Sequence, residues 1–319
     1  MSNVRAPAPT TVGALVLRGE RLFKQAALSF GHGVTNARDE AAYLVLHALK
    51  LPLDLLPDTR KVSVAGAARV LTLFERRIRE RKPAAYLTQE AWLGNQRFFV
   101  DGRVIVPRSF IAELLFDEDF PYLPANNHVH AALDLCTGSA CLAVLLARRY
   151  RKAQVDASDL SPGALEVAAI NVKRYRLQTR IKLLFSNYFS GLKQRRYDLI
   201  ISNPPYVRSA VMRTLPREYK SEPAVALAAG RDGLDALRVI LGQAAGHLNP
   251  GGVLVVECGH ARTLVERTWP RLPFLWAQTS GGDDCVFILT REDLQEAEIL
   301  HRKGAKIRKG TRRKPVAKK

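Results

Sequence analysis

The residues with the most suggestive chemistry are Asn203-Pro204-Pro205-Tyr206, which directly follow the mainly apolar run Tyr197–Ser202. Proline has no backbone N–H to donate to a ladder, so a buried strand must end here. The asparagine amide and the proline carbonyls offer hydrogen-bond acceptors, and the tyrosine offers a flat aromatic face. Such a group suits a planar substrate that carries an NH₂ group. An ordinary strand-terminating turn remains the alternative, because asparagine and proline are common in turns.

A second group of polar residues surrounds a loop after an earlier apolar run, Ala131–Leu135. A site for a dinucleotide uses the pattern G-x-G-x-x-G, which lets the backbone approach a pyrophosphate. Here only one glycine remains, and alanines stand at the later positions. The sequence therefore argues against NAD or FAD and favours a nucleoside cofactor without a pyrophosphate. The candidate cofactor-binding residues of this loop are Asp134, Cys136, Thr137, Gly138, Ser139 and Ala140.

Three further residues are candidates for contacts with that nucleoside. Asp159 ends the second predicted strand, about 20 residues after Gly138, which is the offset of an acid that binds ribose hydroxyls. Asn187 can pair with an adenine edge, and Tyr188 can pack on its ring. A helix cap for Asp159 and ordinary loop chemistry for Asn187 and Tyr188 are the alternatives.

Strand and helix patterns alternate from Ala131 onward, which predicts an α/β fold with a Rossmann-like, doubly wound, mostly parallel sheet. Ligands of such sheets bind beyond the carboxyl ends of the strands, where Asp134, Asp159 and Asn203 fall. The predicted strands are Ala131–Leu135, Gln154–Ala157, Ile181–Phe185, Tyr197–Ser202 and Val253–Cys258, and Phe274–Gln278 with Cys285–Leu289 forms a hairpin. The predicted helices of this part are Phe110–Phe116, Ala140–Tyr150, Pro162–Arg174 and Gly233–Leu248.

The residues before this α/β pattern have helical periodicity. Residues 1–91 are predicted to form a small helical bundle, a candidate for substrate recognition, with helices over Thr11–Phe30, Asp39–Lys50 and Val64–Lys82. Residues 92–106 are predicted to be a hairpin linker, since Arg97–Val100 and Val104–Val106 flank an Asp-Gly turn. Residues 107–300 then form the catalytic domain, and residues 301–319 form a disordered basic tail.

Charge and composition restrict the location and partners of the chain. Its 319 residues carry a formal charge of +19, and all charged residues from Arg302 to Lys319 are Lys or Arg. Such a basic block predicts contact with RNA, and a merely solvating tail is the alternative. There is no membrane-length apolar run and no signal-peptide pattern, so a cytoplasmic location is expected. The four cysteines form no C-x-x-C pair and His128-x-His130 is a weak metal signal, so no metal is expected.

Taken together, these residues resemble the class I S-adenosylmethionine-dependent methyltransferases, and Asn203-Pro204-Pro205-Tyr206 resembles their amino-methyltransferase branch. The chain is most similar to the PrmB family, which methylates a glutamine side-chain amide of large-subunit ribosomal protein L three. The resemblance runs from about residue 15 to about residue 295. Its motifs here are Arg81–Thr88, Val106–Ser109, Leu133–Ser139, Val155–Pro162, Glu218–Pro223 and Gly281–Asp283.

The resemblance implies S-adenosylmethionine as the cofactor, a large-subunit ribosomal protein as the substrate, and no metal. It assigns the catalytic role to Asn203, Pro204, Pro205 and Tyr206. Two residues depart from the family pattern, which usually has glycine at Ala140 and aspartate at Asn187. The added methyl group at position 140 narrows the approach to the methionine end of the donor.

Three other functions stay open on the sequence. A sister family methylates a glutamine of peptide-chain release factors, but it usually carries a more glycine-rich cofactor loop. Methylation of an exocyclic nucleobase amine also suits Asn203-Pro204-Pro205-Tyr206, although no target-recognition insertion is present. A non-catalytic RNA-binding assembly factor would fit Ala140 and the tail. Arg108, Glu218 and Glu222 are expected either to border the substrate groove or to form surface ion pairs.

Overall fold

The computed structural model of the protein describes residues 10–55 and 59–297, which divide into two compact units. The first unit contains the described residues up to Arg108 together with Ala210–Leu227. The second unit contains Ser109–Ser209 and the described residues from Ala228 onward. The tail predicted for residues 301–319 lies outside the described residues. No helix of the described ranges is long and apolar enough to cross a membrane.

The first unit is helical, as predicted. Its elements are β1 (Thr10–Thr11), α1 (Val12–Gln25), α2 (Ala37–Leu49), β2 (Lys61–Val62), α3 (Val64–Glu80) and α4 (Ala84–Thr88). Polar side chains start the three long helices, since Thr11, Asn36 and Ser63 each accept a hydrogen bond from a backbone N–H of the first turn. The core includes Phe23 edge-on against Phe74, with ring centroids 5.1 Å apart. Helix α1 ends five residues before the predicted Phe30.

The predicted pairing of Arg97–Val100 with Val104–Val106 within the linker of residues 92–106 is wrong. The hairpin instead consists of β3 (Ala91–Leu93) and β4 (Gln96–Phe98), and its turn contains Gly94 with φ 55°. A glycine with positive φ suits a two-residue hairpin turn. The Asp-Gly pair at Asp101 closes a local turn of its own, because the Asp101 carboxylate accepts from the Arg103 backbone N–H at 3.0 Å and binds its guanidinium at 2.6 Å.

Buried ion pairs hold residues 218–222 within the first unit. Glu218 lies 2.9 Å from Arg81 and 3.5 Å from Arg77, whose guanidinium also binds Glu40 at 2.7 Å. These carboxylates are buried rather than at the surface, so the surface ion pairs considered from the sequence are a wrong description. Truncating one member of such a pair leaves a buried charge without compensation. A second pair is bidentate, with Arg108 bound to Glu222 at 2.5 and 2.7 Å.

The second unit confirms the predicted α/β fold. Its seven-stranded sheet has the order β10-β11-β9-β8-β5-β6-β7, in which only β10 and β11 pair antiparallel to their neighbours. The strands are β5 (Ala131–Leu135), β6 (Gln154–Asp159), β7 (Ile181–Phe185), β8 (Tyr197–Ser202), β9 (Leu248–Glu257), β10 (Leu275–Thr279) and β11 (Gly282–Thr290). Further α-helices of the described residues are α5 (Ile111–Phe116), α6 (Cys141–Arg149), α7 (Pro162–Arg174), α8 (Ser209–Thr214), α9 (Asp235–His247) and α10 (Arg262–Thr268).

Candidate active site

The register of the parallel strands brings the predicted site residues into one row. Ser202 of β8 and Ser158 of β6 both pair with Leu135 of β5. Asn203 follows Ser202 directly after β8, and Asp159 follows Ser158 as the last residue of β6. Neighbouring strands lie about 4.8 Å apart, so the backbones at Asn203 and Asp159 are separated by about 10 Å, with the loop after β5 between them. Both ends of the predicted site therefore lie at the carboxyl edge of the sheet, where such folds bind ligands.

The loop between β5 and α6 is held by Asp134. This carboxylate is fully buried, and its Oδ2 accepts hydrogen bonds from the Thr137 hydroxyl at 2.5 Å and the Ala143 N–H at 2.9 Å. Asp134 thereby ties the loop to the first turn of α6. Asp134, which the sequence predicts as a cofactor-binding residue, thus positions the loop through these two hydrogen bonds. Its other oxygen, Oδ1, is buried and has no partner among the described residues.

Asp134 gives a pH prediction. Burial raises the pKa of this carboxyl to about 7, so ionisation costs more in the folded protein than in the unfolded chain. The wild type should lose stability through this group as pH rises from about 4 to about 7. Asp134→Asn keeps an oxygen acceptor for Thr137 and Ala143 but does not titrate. The measured quantity is the free energy of unfolding of the variant minus that of the wild type. We expect this difference to increase from about pH 4 to about pH 7 by an amount on the order of a few kcal/mol. Urea unfolding in pH steps measures it, and a difference that stays flat with pH would refute the assignment.

The backbone of the loop is left-handed at three alternate residues, with φ values of 63° at Cys136, 53° at Gly138 and 61° at Ala140. A Cβ built on Gly138 would have no atom within 4 Å, so the space above this glycine is open. The open space at Gly138 is compatible with the predicted approach of a ligand to this residue. Thr137 and Ser139 are buried, and the Ser139 carbonyl accepts from the Asn171 amide at 2.9 Å.

Ala140 adopts a conformation that favours glycine, because a left-handed φ brings Cβ close to the backbone. We expect Ala140→Gly to raise the free energy of unfolding by about 1 kcal/mol. The matched control is Ala143→Gly in the interior of α6, which should lower the free energy of unfolding by about 1 kcal/mol. Thermal unfolding of the two variants measures the contrast. Destabilisation by both substitutions would show that Ala140 is not strained.

Asp159 is half-buried at the end of β6, and both of its oxygens accept backbone hydrogen bonds. Oδ2 accepts from the Gly138 N–H at 2.9 Å and Oδ1 from the Ser161 N–H at 2.9 Å. The cap of α7 is Ser161 rather than Asp159, since its hydroxyl accepts from the Ala164 N–H at 3.2 Å. Burial is the main influence on Asp159 and raises the pKa of its carboxyl. Each carboxylate oxygen keeps a second lone pair for a ligand hydroxyl.

Asn187 and Tyr188 follow β7 at the same edge of the sheet. The Asn187 side chain is exposed, whereas Tyr188 is half-buried against the core of this unit with φ 48°. Burial raises the pKa of the Tyr188 phenol to about 12. One exposed amide and one half-buried ring thus follow β7, the neighbour of β6, and the ring packs toward the core of this unit.

The residues after β8 present hydrogen-bond acceptors. Asn203 is half-buried and Pro204 is buried. Neither the Asn203 amide nor the Pro204 carbonyl has a hydrogen-bond partner within residues 10–55 and 59–297. Two oxygen acceptors beside the loop that follows β5 therefore remain without a partner among the described residues.

Sequence analysis missed the residues that position Tyr206. A Cβ on Gly233 would lie 2.6 Å from the Tyr206 carbonyl oxygen, and one on Gly259 would lie 3.1 Å from its ring. The Tyr206 hydroxyl donates to Glu257 at 3.4 Å. Glu257 is buried at the end of β9 and also accepts from the Ser109 hydroxyl at 2.6 Å, and burial raises the pKa of its carboxyl. No local motif marks Glu257, because its partners lie far away along the chain.

An open site at the carboxyl edge of a mostly parallel seven-stranded sheet, with Asp159 on one side and Asn203-Pro204-Pro205-Tyr206 on the other, defines a class I methyltransferase. The methyltransferase small domain family matches residues 120–216. A ribosomal protein uL3 glutamine methyltransferase of Neisseria meningitidis serogroup A is 53% identical over 296 residues, which cover 92% of this chain and 97% of the relative. A protein of the same name from Bordetella pertussis is 52% identical over 84% of this chain and 91% of its own length. The chain belongs to the family of ribosomal protein uL3 glutamine methyltransferases.

Solved structures with lower similarity are also methyltransferases. A methyltransferase from Pyrococcus furiosus has a TM-score of 0.46 and 20% identity, over 62% of this chain and 90% of that chain. The catalytic domain of human Mettl16 in complex with an RNA hairpin has a TM-score of 0.46 and 16% identity, over 73% of this chain and 84% of its own.

Proposed function

We propose that this protein transfers the methyl group of S-adenosylmethionine to the side-chain amide nitrogen of a glutamine in ribosomal protein uL3. The observation that carries the proposal is the row at the carboxyl edge of the sheet, where the acceptors of Asn203 and Pro204 lie beside the loop of Gly138. The name shared by relatives about half identical over most of the chain supports the choice of acceptor.

The residues of this row fit the proposed donor. Asp159 would accept the ribose hydroxyls, Gly138 leaves open space for close approach, and Asn187 with Tyr188 would bind the adenine. Cys136, Thr137, Ser139 and Ala140 shape the loop below the donor. When bound, the donor supplies a methyl group on a positively charged sulfur, which is already activated for transfer.

The protein then has to orient the amide, because an amide nitrogen is a weak nucleophile whose lone pair is delocalised into the carbonyl. Asn203 Oδ1 and the Pro204 carbonyl would accept the two amide N–H bonds. These hydrogen bonds would fix the nitrogen in position and stabilise the positive charge that develops on it. As the N–CH₃ bond forms, the S–CH₃ bond of the donor would break to leave S-adenosylhomocysteine, and one amide proton would be released to solvent. Pro205 stiffens the turn, and the Tyr206 ring packs on the amide plane. Since the methyl is activated by its sulfur, this step uses no metal.

Tyr206 allows packing to be separated from hydrogen bonding. Tyr206→Phe keeps the ring and removes the long 3.4 Å contact with Glu257, so we expect turnover to fall less than about 10-fold. Tyr206→Ala removes the ring that lies between Gly259 and Glu257 and should reduce turnover by about 10²-fold. Steady-state methyl transfer measures both variants. Equal losses in the two would contradict the packing role.

The acceptor is tested by competition. Labelled S-adenosylmethionine is supplied with purified uL3, a peptide-chain release factor and ribosomal RNA, each alone and together. We expect label in uL3 under all conditions that contain it, and RNase treatment should leave this label unchanged. Label incorporated into the release factor or into the RNA instead of uL3 would overturn the proposal. Methylation of release factors or of nucleobases, respectively, would then be the function.

We also propose that the enzyme acts in the cytoplasm on assembling ribosomes, where the tail contacts ribosomal RNA. Ten Lys or Arg residues lie between Arg302 and Lys319, which are outside the described residues. Both uL3, as a ribosomal protein, and this chain are expected to be basic, so RNA is the better electrostatic partner for the tail. A chain ending at residue 301 should bind ribosomal RNA more weakly, with a smaller salt dependence, while it methylates free uL3 at an unchanged rate. Equal RNA binding by both chains would contradict this role.

A further inference from the structure

His260, Asp284 and Cys285 come together at the end of the sheet beyond the proposed catalytic residues. The Cys258 N–H donates to the Cys285 carbonyl at 2.8 Å, so the segment after β9 lies directly beside the first half of β11. This pairing brings His260 onto Asp284, with Nδ1 and Oδ1 2.9 Å apart. The Cys285 sulfur lies 3.4 Å from the same Nδ1 and 3.3 Å from the same Oδ1.

These three atoms form a triangle of the size that a tetrahedral zinc site requires. Zinc binds sulfur at about 2.3 Å and nitrogen or oxygen at about 2.0–2.2 Å. Tetrahedral angles then place neighbouring ligand atoms about 3.3–3.6 Å apart. The observed distances between the three ligand atoms are 2.9, 3.3 and 3.4 Å, so the atoms need to move apart only slightly to bind the ion. The His260 side chain is 69% exposed and that of Asp284 is 35% exposed, so an ion can reach the group from solvent.

We propose that His260, Asp284 and Cys285 bind a divalent cation of the zinc class. Thiolate, imidazole and carboxylate are the zinc ligands of proteins, and calcium or magnesium would prefer oxygen ligands alone. Binding forms a metal–sulfur bond and releases the Cys285 thiol proton to solvent, and water completes the fourth position. The site differs from the sequence expectation, in which no metal is bound.

A bound ion would also stiffen the surroundings of Tyr206. His260 follows Gly259, whose backbone packs against the Tyr206 ring. The ion would link this segment to β11 through Asp284 and Cys285. The same segment lines a cavity of about 460 Å³, which Tyr206 and His260 share. The inference concerns metal binding itself and does not depend on the proposed substrate.

The test titrates the full-length, tag-free, reduced protein with Co²⁺ as a spectroscopic probe, followed by competition with Zn²⁺. We expect one equivalent of Co²⁺ to produce a thiolate-to-cobalt charge-transfer band, which Zn²⁺ removes. Cys285→Ser should abolish the band. His260→Ala should weaken Co²⁺ binding by at least about 10-fold, and this variant should fold because the side chain is exposed.

The matched control is His128→Ala, which removes another exposed histidine of the same unit and should leave Co²⁺ binding unchanged. Absence of a thiolate band at stoichiometric Co²⁺ would overturn the proposal. Equal affinity of the wild type and His260→Ala would also overturn it, because binding would then be adventitious.

Discussion

Asn203→Ala is expected to reduce turnover by about 10²-fold or more while the protein remains folded. The substitution removes the side-chain oxygen that would accept one of the two amide N–H bonds of the substrate glutamine. The expected loss matches the cost of removing one well-placed donor from an oxyanion hole, where the hydrogen bond is likewise strongest in the transition state. Single-turnover transfer from labelled S-adenosylmethionine measures the rate of the chemical step directly.

Two comparisons make the Asn203 result specific. The amide has no partner within the described residues, so its loss should change the midpoint of thermal unfolding little. Asn203→Asp keeps an acceptor oxygen at nearly the same place and should retain more activity than the alanine variant. Near wild-type turnover of a folded Asn203→Ala protein would remove Asn203 from the mechanism.

Asp159→Ala is expected to raise the Kd for S-adenosylmethionine by about 10²-fold or more. Two charge-assisted hydrogen bonds to the ribose would be lost, each worth about 1.5–3 kcal/mol. The same change releases the Gly138 N–H, which now donates to Asp159 at 2.9 Å, so the loop would lose a support as well. Isothermal titration with the donor measures the effect without requiring a substrate.

The control for Asp159 is Asp156→Ala on the same strand. Asp156 binds Arg195 at 2.6 Å and accepts from the Tyr197 hydroxyl at 2.8 Å, away from the carboxyl end of β6. We expect the Asp156 variant to keep the wild-type Kd for the donor. If both variants bind the donor equally well, Asp159 does not bind the ribose.

Much of the second unit could be predicted from the sequence because its local signals agree with its tertiary structure. The bounds of β5, α7, β7 and β8 match the prediction residue by residue. Each of these strands is a mainly apolar run flanked by polar or turn residues, and α7 begins with a serine cap followed by proline. The edge of the sheet that holds Asp159 and Asn203 follows from the same pattern.

The failures have physical reasons too. The Asp101-Gly102 pair predicts a hairpin turn, but Arg103 binds the Asp101 carboxylate and the turn is only local. The strands that pair lie earlier in the chain, on either side of Gly94. Glu257, Gly233 and Gly259 act on Tyr206 from distant parts of the chain, and no local periodicity reports such contacts. His260 and Cys285 likewise meet only because β9 pairs with β11.

The measurement that tests the central claim most directly is tandem mass spectrometry of uL3 after methyl transfer by the purified enzyme. We predict one added methyl group per uL3 chain, located on a glutamine side-chain amide, and no methyl group when that glutamine is replaced by glutamate. A methyl group on another residue type, or unchanged methylation of the glutamate variant of uL3, would contradict the account.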